Sequence, residues 1–242
     1  MIRSGADVSA PMGWMEEVPE FGSIGLRAFT TTRAAGSFGM ASDEPVRDVI
    51  GRWDRLREQL LFAGPRLATA RQVHGDRVLM HGNGWEGWLR AGDADGHFAL
   101  DRGTAMAVSI ADCVPIFIAH PSGAAALLHS GWRGTAGRIV ERAVDVFEGR
   151  GIPATELVVH LGPAICGDCY EVSPDVFERL TGRSTGSART VDLRALIADH
   201  ARLRGVRRLS ISPSCTRCNN DHFYSHRAGD AGRQLGVLIA PL

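Results

Sequence analysis

Two short apolar runs near the middle of the chain dominate its pattern of hydrophobic and polar positions. They cover Val114 to Ala119 and Ala124 to Leu128, and the turn His120-Pro121-Ser122-Gly123 separates them. Short apolar runs divided by Pro and Gly are typical of buried strands joined by a turn. Because a hairpin brings the start of one strand beside the end of the other, we expect Cys113 and His129 to lie together at one edge of a sheet.

Other apolar runs, and apolar residues at helical spacing, predict the remaining elements. The predicted strands cover residues 25–32, 67–73, 77–80, 105–110, 157–161, 206–212 and 237–240. The predicted helices begin near Pro45 with Ser42 or Asp43 as the cap, near Thr135, at Ser173-Pro174 and at Asp192. Residues 1–22 show no clear period and predict an irregular lead-in. Strands outnumber helices and alternate with them irregularly, which predicts one α+β (mixed α/β) sandwich domain spanning residues 1–242.

Composition narrows the class of protein without identifying a function. The chain has 44% hydrophobic and 22% charged residues and a formal net charge of zero, as in ordinary soluble proteins, so no broad basic surface predicts binding to nucleic acid or to a membrane. No apolar run approaches the ~18 residues of a membrane span, and we expect a cytoplasmic protein. All 27 basic residues are Arg, which excludes Schiff-base chemistry and a P-loop lysine.

Three residues at the ends of predicted strands form the leading candidate site: His74, Cys113 and His129. Two imidazoles and a thiolate are a zinc ligand set that leaves a fourth position for water, the pattern of catalytic zinc. The same pair of Cys113 and His129 also suits a nucleophile and its base. A third interpretation is a buried, inert Cys113 with both histidines on a polar edge.

Two C-x-x-C pairs are a second candidate cluster, in a chain whose odd number of five cysteines fits a reducing compartment. The pairs are Cys166 with Cys169 and Cys215 with Cys218, and 45 residues separate them. That gap is much longer than the ~15 to 20 residues of a compact zinc ribbon. We therefore expect thiols that pack near each other, with a four-thiolate zinc site as the less favoured outcome.

Several arginines lie next to turns, where a phosphate-binding side chain is expected. They are Arg33, Arg133, Arg227 and Arg233. Arg133 precedes the predicted helix start near Thr135, and backbone donors at a helix start favour an anion there. Surface solvation is the alternative for each of these arginines.

Carboxylates and the remaining histidines complete the candidates. Asp112, beside Cys113, is a candidate general acid or base, or else it orients a ligand histidine. Asp93 and Asp95 are assigned to a glycine-rich turn, with no catalytic pairing. The histidines assigned to the surface are His81, His97 and His120.

Five motifs in fixed order resemble a known family. They are Q-V-H-G at 72–75, A-D-C-V-P at 111–115, H-S-G-W-R-G at 129–134, L-G-P-A-I with C-Y-E-V at 161–172, and C-T with H-F-Y-S-H-R at 215–227. The family was once named multicopper polyphenol oxidase or laccase-like and is now described as purine nucleoside phosphorylase, with a branch called the peptidoglycan editing factor. The resemblance covers about residues 25–242.

The resemblance implies a sandwich of mixed sheets between helices and one zinc ion bound by His74, Cys113 and His129. It implies phosphorolysis of adenosine, inosine, guanosine or methylthioadenosine, with adenosine deamination as a second activity. Gln72 and Arg133, with Arg33, become candidates for binding the nucleoside and phosphate. Copper-dependent phenol oxidation is the older assignment, which one three-ligand site does not favour. A Cys-His hydrolase and a non-catalytic cell-wall factor are two further hypotheses for the function.

Overall fold

Two six-stranded β-sheets stack face to face in the computed structural model, which describes residues 13–40 and 44–242. Across the first sheet, the strands in order are β1 (Met15–Glu17), β2 (Arg27–Thr31), β14 (Gln234–Ile239), β7 (Thr104–Ile110), β3 (Arg66–Arg71) and β5 (Gly87–Asp93). Across the second sheet, they are β13 (Arg208–Ile211), β10 (Val158–Leu161), β8 (Val114–Ala119), β9 (Ala125–Ser130), β6 (Gly96–Ala99) and β4 (Val78–His81). Both sheets mix parallel and antiparallel pairs, and β11 (Glu171–Val172) pairs separately with β12 (Arg189–Thr190).

The alternation of side chains along each strand builds the layers. On β7, Met106 and Val108 point between the sheets, where they pack in one cluster with Phe117 of β8 and Leu127 of β9. Ala107, between them in sequence, faces the outside of the first sheet. Because successive strand residues point to opposite faces, the continuous apolar run at residues 105–108 of β7 is suited to a sheet buried on both sides.

Helices cover both outer faces. They are α1 (Pro19–Gly22), α2 (Val46–Leu60), α3 (Trp132–Ala136), α4 (Ile139–Glu148), α5 (Pro174–Thr181) and α6 (Leu193–Leu203). The buried residues of α2 pack on the first sheet, whereas α4, α5 and α6 pack on the second. The predicted mixed α/β class with layered sheets is therefore confirmed. Among the described residues, none of these helices has the length and apolar character needed to cross a bilayer.

The predicted central hairpin is confirmed. β8 and β9 pair antiparallel, with Val114 opposite Ser130 and Pro115 opposite His129. The turn between them closes with a hydrogen bond from the Gly123 amide to the His120 carbonyl. This register brings the start of β8, where Cys113 lies, to the end of β9.

Three local predictions differ from the structure. The lead-in is not wholly irregular, because β1 pairs with β2, while residues 1–12 and the proposed caps Ser42 and Asp43 lie outside the described residues. The segment after β4 contains β5 and β6, whose glycines and charged residues obscured the strand pattern. The helix predicted to begin at Thr135 is in fact two helices, because α3 ends at Ala136 and the left-handed backbone of Arg138, with φ of 58°, separates it from α4.

The assignment of His97 to the surface is also wrong. Its side chain on β6 is buried beside His81, and the two rings lie 2.9 Å apart between Nδ1 of His97 and Nε2 of His81. Burial lowers the pKa of His97 to about 3, with a further lowering by His81 and an opposing effect of Asp95. His97 is therefore neutral in the folded protein at all but very acidic pH.

We expect His97 to make the protein less stable as the pH falls. Below about pH 6.5 the unfolded chain binds a proton that the folded chain excludes, so the free energy of unfolding falls by about 1.4 kcal/mol per pH unit for this group. The variant His97→Gln should flatten this slope between about pH 6 and pH 4. Urea denaturation across that range measures it, and an unchanged slope would contradict the assignment.

Candidate active site

A cleft of about 670 Å³ opens where the ends of β3, β7 and β9 meet the segment before β8. Its lining includes His74, Cys113 and His129 together with residues of the C-terminal tail, such as His226 and Arg227. The predicted residues therefore meet in one place, although they come from distant parts of the chain.

The three candidate ligands are close enough to share one ion. One nitrogen of His74, one nitrogen of His129 and the Cys113 sulfur all lie within 4.8 Å of one another. The two imidazole rings are nearly perpendicular, with their centroids 4.9 Å apart. His129 is buried and His74 is exposed at the mouth of the cleft, so the cluster has one protein-covered side and one open side.

Asp95 organises two of these ligands at once. Its Oδ1 accepts from His129 Nδ1 at 2.8 Å and from the His74 amide at 2.9 Å. Its Oδ2 accepts from the amides of Val73 and Gly75, at 3.1 and 2.7 Å. Burial alone would raise the pKa of Asp95, but the hydrogen bonds from His129 and the amides hold it below its usual range. One fully buried carboxylate thus fixes both the His129 ring and the turn that carries His74.

The assignment of Asp95 to an ordinary turn is therefore wrong, whereas Asp93 is half-buried at the end of β5 and pairs with Arg71. The signal that was available is the position of Asp95 directly before the fully buried strand β6. A carboxylate there must find buried donors, and a ligand histidine commonly donates to such a group.

Backbone strain is concentrated beside the ligands. His74 and Asp112 both have left-handed backbones, with φ of 60° and 82°. Non-glycine residues seldom adopt this conformation, and it persists where surrounding contacts hold it. The amide of His74 is held by Asp95, and Asp112 is held through its carbonyl, which accepts from the Ile165 amide.

Asp112 anchors the C-terminal tail. Its two carboxylate oxygens accept from the Thr216 hydroxyl at 2.6 Å and from the Arg227 amide at 2.7 Å. It does not orient a ligand histidine, because Asp95 has that role. Although Asp112 lines the cleft, both of its oxygens are occupied by these contacts, and its proposed role as a general acid or base remains a prediction.

The close approach of two chain segments requires glycine at Gly131 and Gly134. A Cβ at Gly131 would lie 3.0 Å from the Cys113 sulfur and 3.2 Å from Cδ2 of His74. A Cβ at Gly134 would lie 3.0 Å from the Gly75 carbonyl oxygen. The H-S-G-W-R-G motif therefore packs directly against the Q-V-H-G turn.

The electrostatics of the cluster favour a thiolate. Burial alone would raise the pKa of Cys113, but His129 and His74 lower it to about 6. Burial alone would lower the pKa of His129, but Cys113 and Asp95 raise it to about 9. In the protein without a metal, the pair is thus a thiolate and an imidazolium at neutral pH.

Five arginines line the cleft: Arg71, Arg90, Arg133, Arg227 and Arg233. Arg71 pairs with Asp93, whereas Arg227 and Arg233 donate to backbone carbonyls. The side chains of Arg90 and Arg133 donate no hydrogen bond to another described residue, and the Arg133 guanidinium lies 4.5 Å from the ring centroid of Trp132. Within the described part of the chain, these are the two cleft arginines whose five guanidinium donors are all free for an anion.

Arg33 and Gln72 have structural contacts. Arg33 is not among the residues that line the cleft, and it pairs with Asp230 while donating to the Asn220 and Phe223 carbonyls. Gln72 lines the cleft, yet its side chain exchanges hydrogen bonds with Ser109 of β7. We expect both residues to support the walls of the cleft.

The donor set of His74, Cys113 and His129 suits a single metal ion of borderline softness, such as zinc. Two imidazoles and one thiolate are typical of catalytic zinc, with an open position for a further ligand, and the cleft supplies that open side. The family implied by the motifs was once linked to several copper ions, which need several histidine-rich centres. Within residues 13–40 and 44–242, the only other cluster of three or more candidate ligands consists of the four C-x-x-C cysteines.

The class of this protein is a layered α/β sandwich with a His-Cys-His cluster at an open cleft. Comparisons with known proteins give the same fold and show the family. Residues 29–240 match the family described as multi-copper polyphenol oxidoreductase laccase. A purine nucleoside phosphorylase of Mycobacterium tuberculosis is 33% identical over 234 residues, covering 89% of this chain and 92% of the relative. One of Deinococcus radiodurans is 34% identical over 237 residues, covering 88% of each.

Solved structures show the same fold. YlmD of Geobacillus stearothermophilus superposes with a TM-score of 0.83 at 28% identity, covering 90% of this chain and 93% of YlmD. YfiH of Bacillus licheniformis has a TM-score of 0.84 at 22% identity, covering 95% and 97%, and supports the fold alone. The chain belongs to the laccase-like family of multi-copper polyphenol oxidoreductases, whose curated relatives here carry the name purine nucleoside phosphorylase.

Proposed function

We propose that this protein is a zinc-dependent purine nucleoside phosphorylase. The observation that supports this most directly is the cluster of His74, Cys113 and His129, open to a cleft whose wall carries Arg133 with free donors. The names of the relatives agree with the proposal. Its substrates would be inorganic phosphate and a nucleoside such as adenosine, inosine, guanosine or methylthioadenosine, and its five free thiols suit the reducing cytoplasm.

Each group in the cleft has a role in this proposal. Zinc, when bound, supplies positive charge that stabilises an anion or acidifies a water. Arg133 would hold phosphate through paired charge-assisted hydrogen bonds. A phosphate oxygen would then attack the sugar carbon, while the electrons of the bond between that carbon and the base nitrogen pass to the purine. Trp88 and Tyr170, which both line the cleft, offer aromatic faces for the base.

Adenosine deamination is the second activity of this proposal. The experiment that separates the two reactions is chromatography of adenosine incubated with metal-analysed protein, with and without phosphate. Adenine that forms only with phosphate supports phosphorolysis. Inosine as the sole product supports a zinc-water deaminase, and no turnover contradicts both activities.

A Cys-His hydrolase is the second candidate, since Cys113, His129 and Asp95 follow the order of nucleophile, base and orienting carboxylate. The thiolate in the metal-free pair also suits a nucleophile. Activity that survives chelation of all metal, with loss on alkylation of Cys113, would favour this function. Loss on chelation and recovery with zinc would favour the phosphorylase.

Replacing Arg133 by Ala should raise the KM for phosphate about 10- to 100-fold, as expected for the loss of a charge-assisted hydrogen bond of about 1.5–3 kcal/mol. Phosphate-independent deamination should change much less. Steady-state kinetics with varied phosphate measure the effect. Arg179→Ala is the matched control, because Arg179 also lies over Trp132, at 5.9 Å, but does not line the cleft. Equal losses in both reactions would argue against a phosphate-specific role.

A further inference from the structure

Four cysteines outside the cleft cluster gather at one point of the second sheet. One sulfur from each of Cys166, Cys169, Cys215 and Cys218 lies within 4.8 Å of the other three. All four are free thiols, and the sulfurs of Cys169 and Cys218 are 3.5 Å apart. The prediction that these thiols pack near each other is thus confirmed.

The sheet topology explains why a 45-residue separation does not keep the pairs apart. β10 and β13 are parallel neighbours, with Leu161 opposite Ile211 at their ends. Each C-x-x-C pair begins a few residues beyond one of these ends. Neighbouring parallel strands have their C-terminal ends on the same side of a sheet. After the intervening elements, the chain therefore comes back beside the first cysteine pair. The sequence-based objection drawn from zinc-ribbon spacing therefore does not apply.

Backbone hydrogen bonds orient the thiols of both C-x-x-C pairs towards one another. Residues 167–169 form a short 3-10 helix, in which the Cys169 amide donates to the Cys166 carbonyl and turns both thiols to one side. The amides of Cys166 and Cys218 donate to the Cys215 sulfur, at 3.2 and 3.4 Å. These two backbone donors fix the position of the buried Cys215 sulfur among the other three.

The chemistry of the four sulfurs indicates which metal ion they would bind. Two C-x-x-C pairs whose sulfurs lie within 4.8 Å of one another are the donor set of closed structural zinc sites. Four thiolates around Zn²⁺ leave two negative charges, and Arg217 lies beside them, donating to the Cys169 carbonyl at 3.2 Å. A disulfide would use only two of the four sulfurs and would give no reason for the other two to converge.

We propose that Cys166, Cys169, Cys215 and Cys218 bind a structural zinc ion, separate from the His74, Cys113 and His129 cluster. This ion would join two segments that form one wall of the cleft. Tyr170 directly follows Cys169, and the Arg227 guanidinium of the tail lies 4.9 Å from its ring centroid and donates to the Glu171 carbonyl at 2.8 Å. The four-thiolate site therefore sets the position of the wall without contacting substrate.

Metal analysis of the full chain tests this proposal independently of any activity. Protein produced with zinc and purified under reducing conditions should contain two zinc ions per chain, and Cys113→Ala should retain one. When this remaining zinc is replaced by Co²⁺, the near-ultraviolet thiolate charge-transfer band should have the intensity of four thiolates. A Cys113→Ala protein that contains no zinc, or contains iron in its place, would overturn the proposal, as would a Cys169–Cys218 disulfide in freshly purified protein.

Variants at the half-buried Cys169 and the exposed Cys218 complete the test. Cys169→Ser and Cys218→Ser should each lower the zinc content by one ion per chain and lower the melting temperature. Asp168→Ser is the matched control, because Asp168 is exposed between two of the ligands but offers no thiolate; it should keep both ions. Unchanged zinc in both cysteine variants, or equal loss in the Asp168 control, would contradict a four-thiolate site.

Discussion

Replacing Cys113 by Ala should remove one zinc ion per chain from the cleft and reduce phosphorolysis at least about 100-fold, because loss of a ligand exceeds the 10- to 100-fold effects typical of its outer partners. Cys113 is the only thiolate of the cleft cluster, and the two histidines left behind offer an incomplete set. Zinc analysis and steady-state turnover of a purine nucleoside measure the two effects on the same preparation.

Cys113→Ser is the informative companion, since it keeps the size of the side chain and replaces the thiolate by a weaker ligand. We expect partial zinc occupancy and activity between those of the wild type and Cys113→Ala. The melting temperature of each variant with chelator should stay near that of the chelated wild type, which separates a lost ligand from a misfolded protein. Full zinc content and full turnover in Cys113→Ala would remove the metal from the proposed function.

Asp95→Asn should have the second largest effect. The substitution keeps one oxygen for His129, but it turns an NH₂ donor towards the amides of Val73 and Gly75, which now donate to Oδ2. An unpaired buried donor costs about 1–3 kcal/mol, and loss of a ligand's orienting carboxylate lowers metal affinity about 10- to 100-fold. We therefore expect weaker zinc binding in the cleft together with a lower free energy of unfolding.

Competition with a chromophoric chelator measures the zinc affinity of this variant, and urea denaturation measures its stability. Asp93→Asn is the matched control, since Asp93 is two residues away and only half-buried, and its partner is Arg71. It should leave zinc affinity unchanged. If Asp93→Asn and Asp95→Asn weakened zinc binding equally, Asp95 would not have the positioning role that its four hydrogen bonds suggest.

Local patterns predicted the central part of the fold well. The hairpin of β8 and β9 followed from two apolar runs and one Pro-Gly turn, and Asp192 was placed as the cap of α6, where its side chain accepts from the Arg194 and Ala195 amides. These features depend on residues that are close in sequence. The meeting of Cys113 with residues at the end of β9 followed from the same hairpin.

Contacts between distant segments were harder to predict. The position of Asp95 before a buried strand does not show that it receives both the His129 ring and the turn at residues 73–75, because those partners are distant from it in the chain. The burial of His97 depends on distant segments for the same reason, because its ring lies on the face of β6 that it shares with Ala99 and with Leu127 of β9, and the stacking of the two sheets buries that face. Likewise, the spacing of the cysteine pairs does not show that they meet, because the parallel pairing of β10 and β13 brings them together.

The sequence by itself determined the apolar strands, the helix starts at Ser173 and Asp192, and the choice of His74, Cys113 and His129 as candidate ligands, because these depend on residue chemistry and short-range pattern. The tertiary structure alone decided which carboxylate holds the histidines, which arginine donors remain free in the cleft, and that four cysteines meet. These contacts depend on the pairing of strands that are far apart in the sequence. That pairing depends in turn on how each whole sheet buries its faces.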